Sequence, residues 1–455
     1  MRHTVLSLAL LSGLPSFALA QAGSPAGPVP VERLSARRAA LFDRIGSGIA
    51  ILRSADEKSI EGDYPQDSDF RQDNNFFYLT GLETPNSWLV LVARADGPDE
   101  TMLFIPPRDS TQERWTGPRM GPGPEATAAT GIADVRSNRD VRARVRELVL
   151  AAKVPLFIPR YRPPRDSIVL KELGLTDSLG ARLEKKPLSG HLAALRQVKD
   201  ADEVARLRRA IEITAEAQRE AAKSARPGMW EYELEAIIEF TFRRRGAERV
   251  GFPTIVGTGI NATTLHYDKG RRQSEAGDLV VMDIGAEFGY YSADVTRTIP
   301  ISGRFTQRQR ALYDLVLGSQ QAAIDSVRPG VTISQLQQIA SNYMRDHSGD
   351  LCAPGPCNRY FIHGLSHWLG MDVHDVGNYG AKLEPGMVLT VEPGIYIPAE
   401  KLGIRIEDDI LVTATGYENL SAGAPRSADE IERLMRHQVT SDKSRVANDK
   451  GQRSR

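Results

Sequence analysis

Short runs of alternating or continuous apolar residues, separated by helical periodicity, fill roughly the first third of the chain. Runs of this kind, bounded by polar and turn-forming residues, are typical of half-buried strands between amphipathic helices. The mixture predicts a compact α/β domain over residues 32–187. The predicted strands cover Trp88 to Val92, Met102 to Ile105 and Pro155 to Ile158, and the predicted helices lie around Arg33 to Arg44 and Asp140 to Ala151.

A long amphipathic helix is predicted next. It begins near Asp200, places Val204, Leu207 and Ile211 on one face, and ends at Arg226-Pro-Gly. Because such a helix often joins domains, the boundary is expected at about 188–200, with a second domain over residues 200–436. A further helix is expected from Tyr232 to Arg245, stopped by Gly246.

The second domain contains an internal repeat. Arg226-Pro-Gly and Arg328-Pro-Gly each precede a predicted helix, and residues 280–299 and 388–412 each contain two β-runs with acidic residues. Two copies of a helix followed by a hairpin indicate a duplicated, pseudo-twofold domain with a cleft between its halves.

The ends of the chain differ from its middle. Residues 1–20 have a basic start, an apolar run and the ending Ala18-Leu-Ala20, a layout typical of a signal peptide, so the mature protein is expected to be exported to the periplasm or secreted. The alternative is a buried or frayed N-terminal helix. Residues 21–30 and the tail at 439–455 are expected to be flexible.

Composition bears on the number of domains and on the kinds of molecule that the protein can bind. The chain has 455 residues and 41% hydrophobic content, which suits two domains. Lysine plus arginine and aspartate plus glutamate each number 58, so the charge does not indicate a nucleic-acid partner, and no segment has the length of a membrane span. Cys352 and Cys357 favour a local disulfide over two free thiols in an oxidising compartment.

Each of the two predicted β-ribbons of the second domain, residues 280–299 and 388–412, offers a pair of carboxylates from facing strands. A turn at Phe288-Gly289 places Asp283 directly opposite Asp294, with Cβ atoms about 5 Å apart. A turn at Ala399-Glu400 likewise places Glu392 opposite Glu407. Like charges inside a sheet are destabilising unless protons or cations cancel them, and two such pairs favour cations over the alternative of solvated acids.

The segment from His363 to His367 supplies an imidazole, which moves the metal preference from magnesium or calcium towards manganese, cobalt or zinc. Two such ions with a shared water form a centre that hydrolyses an amide or ester. His266 and His374 are candidate proton carriers, although each has the alternative of a structural hydrogen-bonded histidine. Arg405 shares a strand face with Glu407 and is expected to orient the carboxylates, or else to form a surface ion pair.

These segments together resemble the aminopeptidase P and prolidase group of pita-bread metallopeptidases. The N-terminal half resembles the aminopeptidase P N-terminal domain through Asp69 to Gly81 and Glu113 to Gly117. The matching segments of the second domain are Met282-Asp-Ile-Gly285, Ser292-Ala-Asp-Val-Thr-Arg-Thr-Ile-Pro300, His363 to Asp375, Leu389 to Tyr396 and Gly403-Ile-Arg-Ile-Glu-Asp-Asp409.

The resemblance implies a function and assigns roles. It implies release of an N-terminal residue that precedes proline, two divalent ions with manganese preferred, a peptide substrate and a homo-oligomer. The metal ligands it implies are Asp283, Asp294, His367, Glu392 and Glu407. His266 and His374 are then expected to contact substrate and move protons, with His363 near the proline pocket, Glu392 also assisting as general base, and Arg405 and Tyr396 in support.

Other members of the same fold remain alternatives. A prolidase uses the same metal chemistry but accepts only dipeptides. A non-catalytic binding module or a creatinase-like enzyme lacks the full ligand set that this chain keeps. A methionine aminopeptidase is disfavoured by the large N-terminal domain.

Overall fold

The computed structural model describes residues 25–57, 70–159 and 165–436. The predicted signal peptide at residues 1–20 and the predicted flexible tail at 439–455 lie outside these ranges. Among the helices of the described ranges, none is both long enough and apolar enough to cross a membrane.

A six-stranded mixed sheet forms the centre of the N-terminal domain, in the order β4-β3-β2-β1-β5-β6. The strands predicted at Trp88, Met102 and Pro155 are present as β2, β3 and β5, and their apolar side chains are buried. The bounds are β1 (Gly48–Arg53), β2 (Trp88–Ala93), β3 (Glu100–Ile105), β4 (Asp134–Ser137), β5 (Leu156–Ile158) and β6 (Lys185–Pro187).

Eight helices of the described ranges accompany this sheet. The two predicted from sequence are α1 and α5, each within two residues of its expected bounds. The bounds are α1 (Val31–Ile45), α2 (Asn74–Thr80), α3 (Ser110–Thr116), α4 (Pro124–Thr130), α5 (Val141–Ala151), α6 (Arg165–Glu172), α7 (Ser178–Arg182) and α8 (Ser189–Gln197).

The predicted long helix is α9 (Ala201–Ser224), and a capping box at Asp200 starts it. The Asp200 carboxylate accepts from the amide of Glu203, and the Glu203 side chain accepts from the amide of Asp200. The later helices are α10 (Glu231–Arg244), α11 (Gln307–Ile324) and α12 (Ile333–Asp346).

Short antiparallel sheets complete the second domain. They have the orders β11-β10-β7, β12-β9-β8 and β13-β16-β17, together with the pair β14-β15. The bounds are β7 (Arg249–Val250), β8 (Ile255–Thr258), β9 (Leu279–Ile284), β10 (Ala286–Phe288), β11 (Tyr291–Ser292), β12 (Val295–Pro300), β13 (Val388–Val391), β14 (Gly394–Ile397), β15 (Leu402–Arg405), β16 (Asp408–Val412) and β17 (Tyr417–Asn419).

The predicted duplication is visible in the order of these elements. Helices α9 and α10 precede the hairpin of β9 to β12, and helices α11 and α12 precede the hairpin of β13 to β16. The predicted class, an α/β N-terminal domain followed by a pseudo-twofold second domain, is therefore confirmed. Each half supplies one ribbon to the region between them.

The first ribbon has a different register from the predicted one. Asp283 pairs with Thr296 instead of Asp294, because the turn lies at Gly289-Tyr290, one residue later than predicted. Both turn residues have positive φ, 57° and 72°, as a two-residue hairpin loop of the primed type requires. Asp283 is therefore paired with the residue two positions after its predicted partner. Because side chains alternate along a strand, Asp283 and Asp294 still lie on the same face, as diagonal neighbours.

Contacts with the N-terminal domain explain why a tyrosine occupies this turn. The ring of Tyr290 stacks on Phe77 with centroids 3.8 Å apart, and its hydroxyl donates to Glu83 and accepts from the amide of Gln72. Nearby, Arg71 forms an ion pair with the buried Glu287 at 2.8 Å. The tip of the ribbon is therefore seated in the other domain, which offsets the strain of a left-handed tyrosine.

The second ribbon has the predicted register. Gly394 pairs with Arg405 and Val391 pairs with Asp408, which sets Glu392 opposite Glu407 where the ladder is interrupted. A turn of 3₁₀ helix at Pro398–Glu400, with Lys401 left-handed, closes the hairpin. The disulfide favoured from sequence joins Cys352 and Cys357, both buried.

Candidate metal centre

Five side chains predicted to bind metal converge between the two ribbons. Asp283 is on β9, Asp294 comes just before β12, Glu392 follows β13, Glu407 lies between β15 and β16, and His367 is in the segment before β13. Donor atoms of Asp294, His367 and Glu407 all lie within 4.8 Å of one another, and all three residues are buried. The two halves thus bring the acids together as the repeat predicted.

Backbone contacts fix the orientation of His367. Its amide donates to the Thr390 hydroxyl and its carbonyl accepts from the Thr390 amide, which ties the residue to β13. Nδ1 lies 3.2 Å from the carbonyl oxygen of Trp368. Nε2 therefore faces the cluster, 3.3 Å from Asp294 Oδ2 and 3.3 Å from Glu392 Oε1.

Burial and mutual repulsion dominate the electrostatics of the acids. Desolvation, followed by the charge of Glu407, raises the pKa of Asp294 and of Glu392 well above their ordinary values. Desolvation and the charge of Asp283 raise the pKa of Glu407 to about 8. Burial also lowers the pKa of His367 to about 4, so its imidazole is neutral at pH 7.

These features fit a metal centre. Asp283 Oδ1 and Asp294 Oδ1 are buried and have no hydrogen-bond donor, which is costly for a carboxylate oxygen unless a cation binds it. Carboxylates together with one neutral imidazole are ligands that divalent transition metals accept. The site can hold two divalent ions on Asp283, Asp294, His367, Glu392 and Glu407.

Arg405 is the buried cation of the cluster. Its Nη2 donates to Asp283 Oδ2 at 2.6 Å, and its Nη1 donates to the Tyr396 hydroxyl at 3.0 Å. Its Nε donates to the Thr296 hydroxyl, which in turn donates to Glu407 Oε2 at 2.6 Å. The guanidinium therefore orients one acid from each ribbon, and the alternative of a surface ion pair is wrong.

Three further histidines surround the acids. His363 Nε2 lies 2.8 Å from the Tyr396 hydroxyl, and burial lowers its pKa to about 4. The ring of His374 is 4.1 Å from that of His367 and 6.3 Å from that of His266. Burial, then the charge of His266, lowers the pKa of His374. The lowered pKa values keep His363 and His374 neutral at pH 7.

The cluster opens into a cavity of about 320 Å³, with His266, His363, His374 and Tyr379 on its walls. A second cavity of about 240 Å³ shares Asp283, Asp294, His266 and His374 with it. The other walls of the second cavity are mostly apolar and are formed by Phe252, Pro253, Ile255, Val373 and Asp268. A substrate can thus extend from the acids into an apolar recess.

Two threonines belong to the site and were missed from sequence. Thr296 links Arg405 to Glu407, and Thr390 donates to Glu392 Oε1 at 3.1 Å. Each lies two residues from a predicted ligand, Asp294 or Glu392, and so shares its strand face. The alternation of side chains along a strand could therefore have identified both threonines from the sequence.

Fold and site together define a metal-dependent hydrolase. The family model of metallopeptidase family M24 matches residues 205–414, and that of the aminopeptidase P N-terminal domain matches residues 34–157. The Xaa-Pro aminopeptidase of Escherichia coli (strain K12) is 37% identical over 429 residues, which cover 88% of this chain and 96% of that protein. That of Haemophilus influenzae is 33% identical, covering 90% and 98%.

Comparison with solved structures leads to the same family as the sequence comparisons. Aminopeptidase P from E. coli with the inhibitor Pro-Leu matches with a TM-score of 0.83 at 35% identity, covering 91% of this chain and all of that one. Zn-substituted E. coli aminopeptidase P in complex with product matches with a TM-score of 0.81 at 34% identity, covering 90% and 99%. The chain belongs to the aminopeptidase P group of M24 metallopeptidases, with the pita-bread fold.

Proposed function

We propose that this chain removes an N-terminal residue that precedes proline from peptides, using two divalent metal ions. The observation that carries the proposal is the set of four acids and one neutral imidazole. All are buried except the partly buried Glu392, and Asp283 Oδ1 and Asp294 Oδ1 have no hydrogen-bond donor. Family membership and the relatives named Xaa-Pro aminopeptidase support the substrate class.

Manganese is proposed as the native metal. A mixed carboxylate and imidazole set suits manganese, and it also suits cobalt or zinc. A bound pair of such ions supplies Lewis-acid polarisation of the scissile carbonyl and a nucleophile generated from water. The proposed ligands are Asp283, Asp294, His367, Glu392 and Glu407.

The other residues of the site bind substrate and move protons. Glu392, whose Oε1 lies 3.3 Å from His367 Nε2, is proposed to take the proton of water as a carboxylate. His266 and His374, which both line the cavity, are proposed to contact the peptide and to pass that proton to the departing proline nitrogen. Arg405 and Tyr396 keep Asp283 and His363 in place.

Proline at the second position is part of the proposal. Its tertiary amide has no N–H and a restricted shape, so a dedicated pocket has to accept it. His363, on the cavity wall beside Tyr396, is proposed to border that pocket.

Cleavage of peptides that differ in length and in the second residue tests the function. With added Mn²⁺ we expect release of the first residue from an Xaa-Pro-Yaa tripeptide, and little or none from the matching Xaa-Ala-Yaa peptide, measured by chromatography of the products. Cleavage of the Xaa-Pro dipeptide alone would instead identify a prolidase. No cleavage of either proline peptide by the Mn²⁺-loaded protein would refute both assignments.

Substituting His374 tests the proton-transfer role. His374→Ala is expected to lower kcat by about 10²-fold, within the range for loss of a general acid, while Mn²⁺ content stays at the wild-type level. Metal analysis and steady-state kinetics measure the two effects. His347→Ala, an exposed histidine at the end of α12, is the matched control and should leave both unchanged. An unchanged kcat in His374→Ala contradicts the role.

Export and self-association complete the proposal. The pattern of residues 1–20 supports secretion or a periplasmic location, and Edman sequencing of the mature protein would begin at Gln21 if Ala20 is the cleavage site. A homo-oligomer is proposed from the family resemblance. Light scattering that gives the mass of a single chain contradicts it.

A further inference from the structure

Two buried glutamines occupy equivalent positions in the duplicated halves. Gln218 lies on α9 and Gln320 on α11, and each is eight residues before an Arg-Pro-Gly of the internal repeat, at Arg226 and Arg328. Both side chains are almost completely buried, with 1% and 0% exposure. The repeat therefore extends into the helices and carries the same polar residue into both halves.

Each glutamine joins the two strands of the ribbon beneath its helix. Gln218 Nε2 donates to the carbonyl oxygens of Met282 at 2.9 Å and Val295 at 2.7 Å. Gln320 Nε2 donates to those of Val391 at 3.0 Å and Ile406 at 3.2 Å. Both N–H groups of each amide are thus used, one on each strand.

The four carbonyls occupy particular places along the ribbons. Each belongs to a residue next in sequence to a proposed metal ligand, namely Asp283, Asp294, Glu392 and Glu407. For Met282, Val391 and Ile406 the carbonyl is part of the peptide bond that joins the residue to the ligand. Holding that carbonyl therefore limits rotation of the backbone from which the ligand side chain projects.

The pairing of the strands is interrupted close to these four carbonyls. The strand ladder is interrupted between Ile284 and Ala286 in the first ribbon and between Val391 and Gly394 in the second. Asp294 lies at the first interruption, and Glu392 and Glu407 lie opposite each other at the second. Backbone bonds from Ala293 N to Ala286 O and from Ile406 N to Pro393 O cross the ribbons beside these interruptions, and each glutamine adds a second link between the same strands from the helix side.

Each buried glutamine amide also leaves one polar atom without a hydrogen bond, which costs stability. Gln218 Oε1 and Gln320 Oε1 are buried and have no hydrogen-bond donor. An apolar residue of similar volume would fill the same space without this unsatisfied oxygen, but it would remove the donors to the ribbon carbonyls. The same unsatisfied oxygen in both halves indicates that the two-donor NH₂ group is the feature required.

We propose that Gln218 and Gln320 are positioning residues of the metal centre, each setting the spacing of the two carboxylates in its own ribbon. The inference rests on the proposed dinuclear function. It assigns to the helix side of each ribbon the outer-sphere role that Arg405 and Thr296 have on the cavity side. Such outer partners change metal affinity about 10–100-fold when they are removed.

Mn²⁺ titration of the purified full-length protein tests this. Gln218→Met and Gln320→Met keep the volume and remove both donors. Each is expected to weaken Mn²⁺ binding about 10–100-fold by isothermal titration calorimetry, with a parallel fall in kcat at saturating peptide. The control is Ser319→Ala, next to Gln320 on α11, whose buried hydroxyl donates to Ala340 O on α12.

The comparison separates positioning from simple stabilisation. All three variants should lower the melting temperature of the metal-free protein, but only the glutamine variants should weaken Mn²⁺ binding. Wild-type Mn²⁺ affinity in both glutamine variants, or an equal loss in Ser319→Ala, overturns the inference. If Gln218→Met or Gln320→Met does not fold, Gln218→Glu or Gln320→Glu keeps the shape, removes at least one donor and carries the same expectation.

Failure of the underlying function has a different signature. If wild-type protein itself binds no Mn²⁺ or cleaves no Xaa-Pro peptide, the proposed function fails. If wild-type protein does both and the glutamine variants bind Mn²⁺ as it does, only the positioning role fails.

Discussion

Asp294→Ala and Glu407→Ala are each expected to abolish turnover of an Xaa-Pro-Yaa peptide and to weaken Mn²⁺ binding. Both residues belong to the set whose donor atoms lie within 4.8 Å of one another. Loss of outer-sphere partners costs about 10–100-fold in metal affinity or activity, and loss of a direct ligand is expected to exceed that range. Steady-state kinetics and calorimetric Mn²⁺ titration measure the two losses.

A glutamate in the turn of the second ribbon provides the control. Glu400 is exposed and pairs with Arg308 at 2.8 Å, away from the cavity. Glu400→Ala should retain wild-type kcat and Mn²⁺ affinity. Undiminished turnover in Asp294→Ala or Glu407→Ala would remove these residues from the metal site.

Metal-free protein is expected to become less stable as the pH rises from 6.5 to 8, and Mn²⁺ should restore that stability. An acid whose pKa is higher in the folded chain holds its proton more tightly when folded, so stability falls between its unfolded and folded pKa values. For Glu407 this window runs from 4.5 to about 8. Glu407 alone then contributes a loss of about 2 kcal/mol between pH 6.5 and 8.

The histidines act in the opposite direction in this interval. His363 and His367 have folded pKa values of about 4 against an ordinary 6.5, so they destabilise the fold mainly below pH 6.5 and add a little stability as the pH rises above it. Melting temperatures of chelator-treated and Mn²⁺-loaded protein at pH 6.5 and 8 provide the measurement. The gain on adding Mn²⁺ should be larger at pH 8, since the ligands bind metal in their deprotonated form.

A single substitution checks the cause of this pH dependence. Glu407→Gln cannot ionise, so the metal-free variant should lose less stability than wild type between pH 6.5 and 8. Its melting temperature should also respond less to Mn²⁺. A wild-type pH profile in the variant would show that the Glu407 carboxyl does not cause the loss.

The second ribbon was predictable because its signals are local. Ile395, Ile404 and Ile406 mark the buried strands, and the turn at Ala399-Glu400 lies midway between them in sequence. Its register, and with it the placing of Glu392 opposite Glu407, follows from the sequence alone.

The first ribbon was predicted with the wrong register because a distant contact decides it. Gly289 suggested a turn one residue earlier, and contacts with Gln72, Phe77 and Glu83, about two hundred residues away, support the left-handed Tyr290. The convergence of the acids was still predicted, since a slip of two residues leaves every side chain on its own face.

Other parts of the site are set by tertiary contacts that periodicity does not reveal. The links from Arg405 through Thr296 to Glu407 connect strands of different halves. Gln218 and Gln320 lie on helices whose pattern predicts only a buried face. Which carbonyl a buried amide meets depends on how helix and ribbon are packed together.

The seating of Tyr290 between Phe77 and Glu83 makes the two domains mutually dependent. The strand pair that holds Asp283 and Asp294 ends in a socket of the N-terminal domain, so its alignment is completed by residues outside the half that encodes it. A truncated protein comprising the second domain alone would keep every acid yet leave this loop without its anchor. Exchange of N-terminal domains between relatives therefore has to preserve the socket together with the tyrosine.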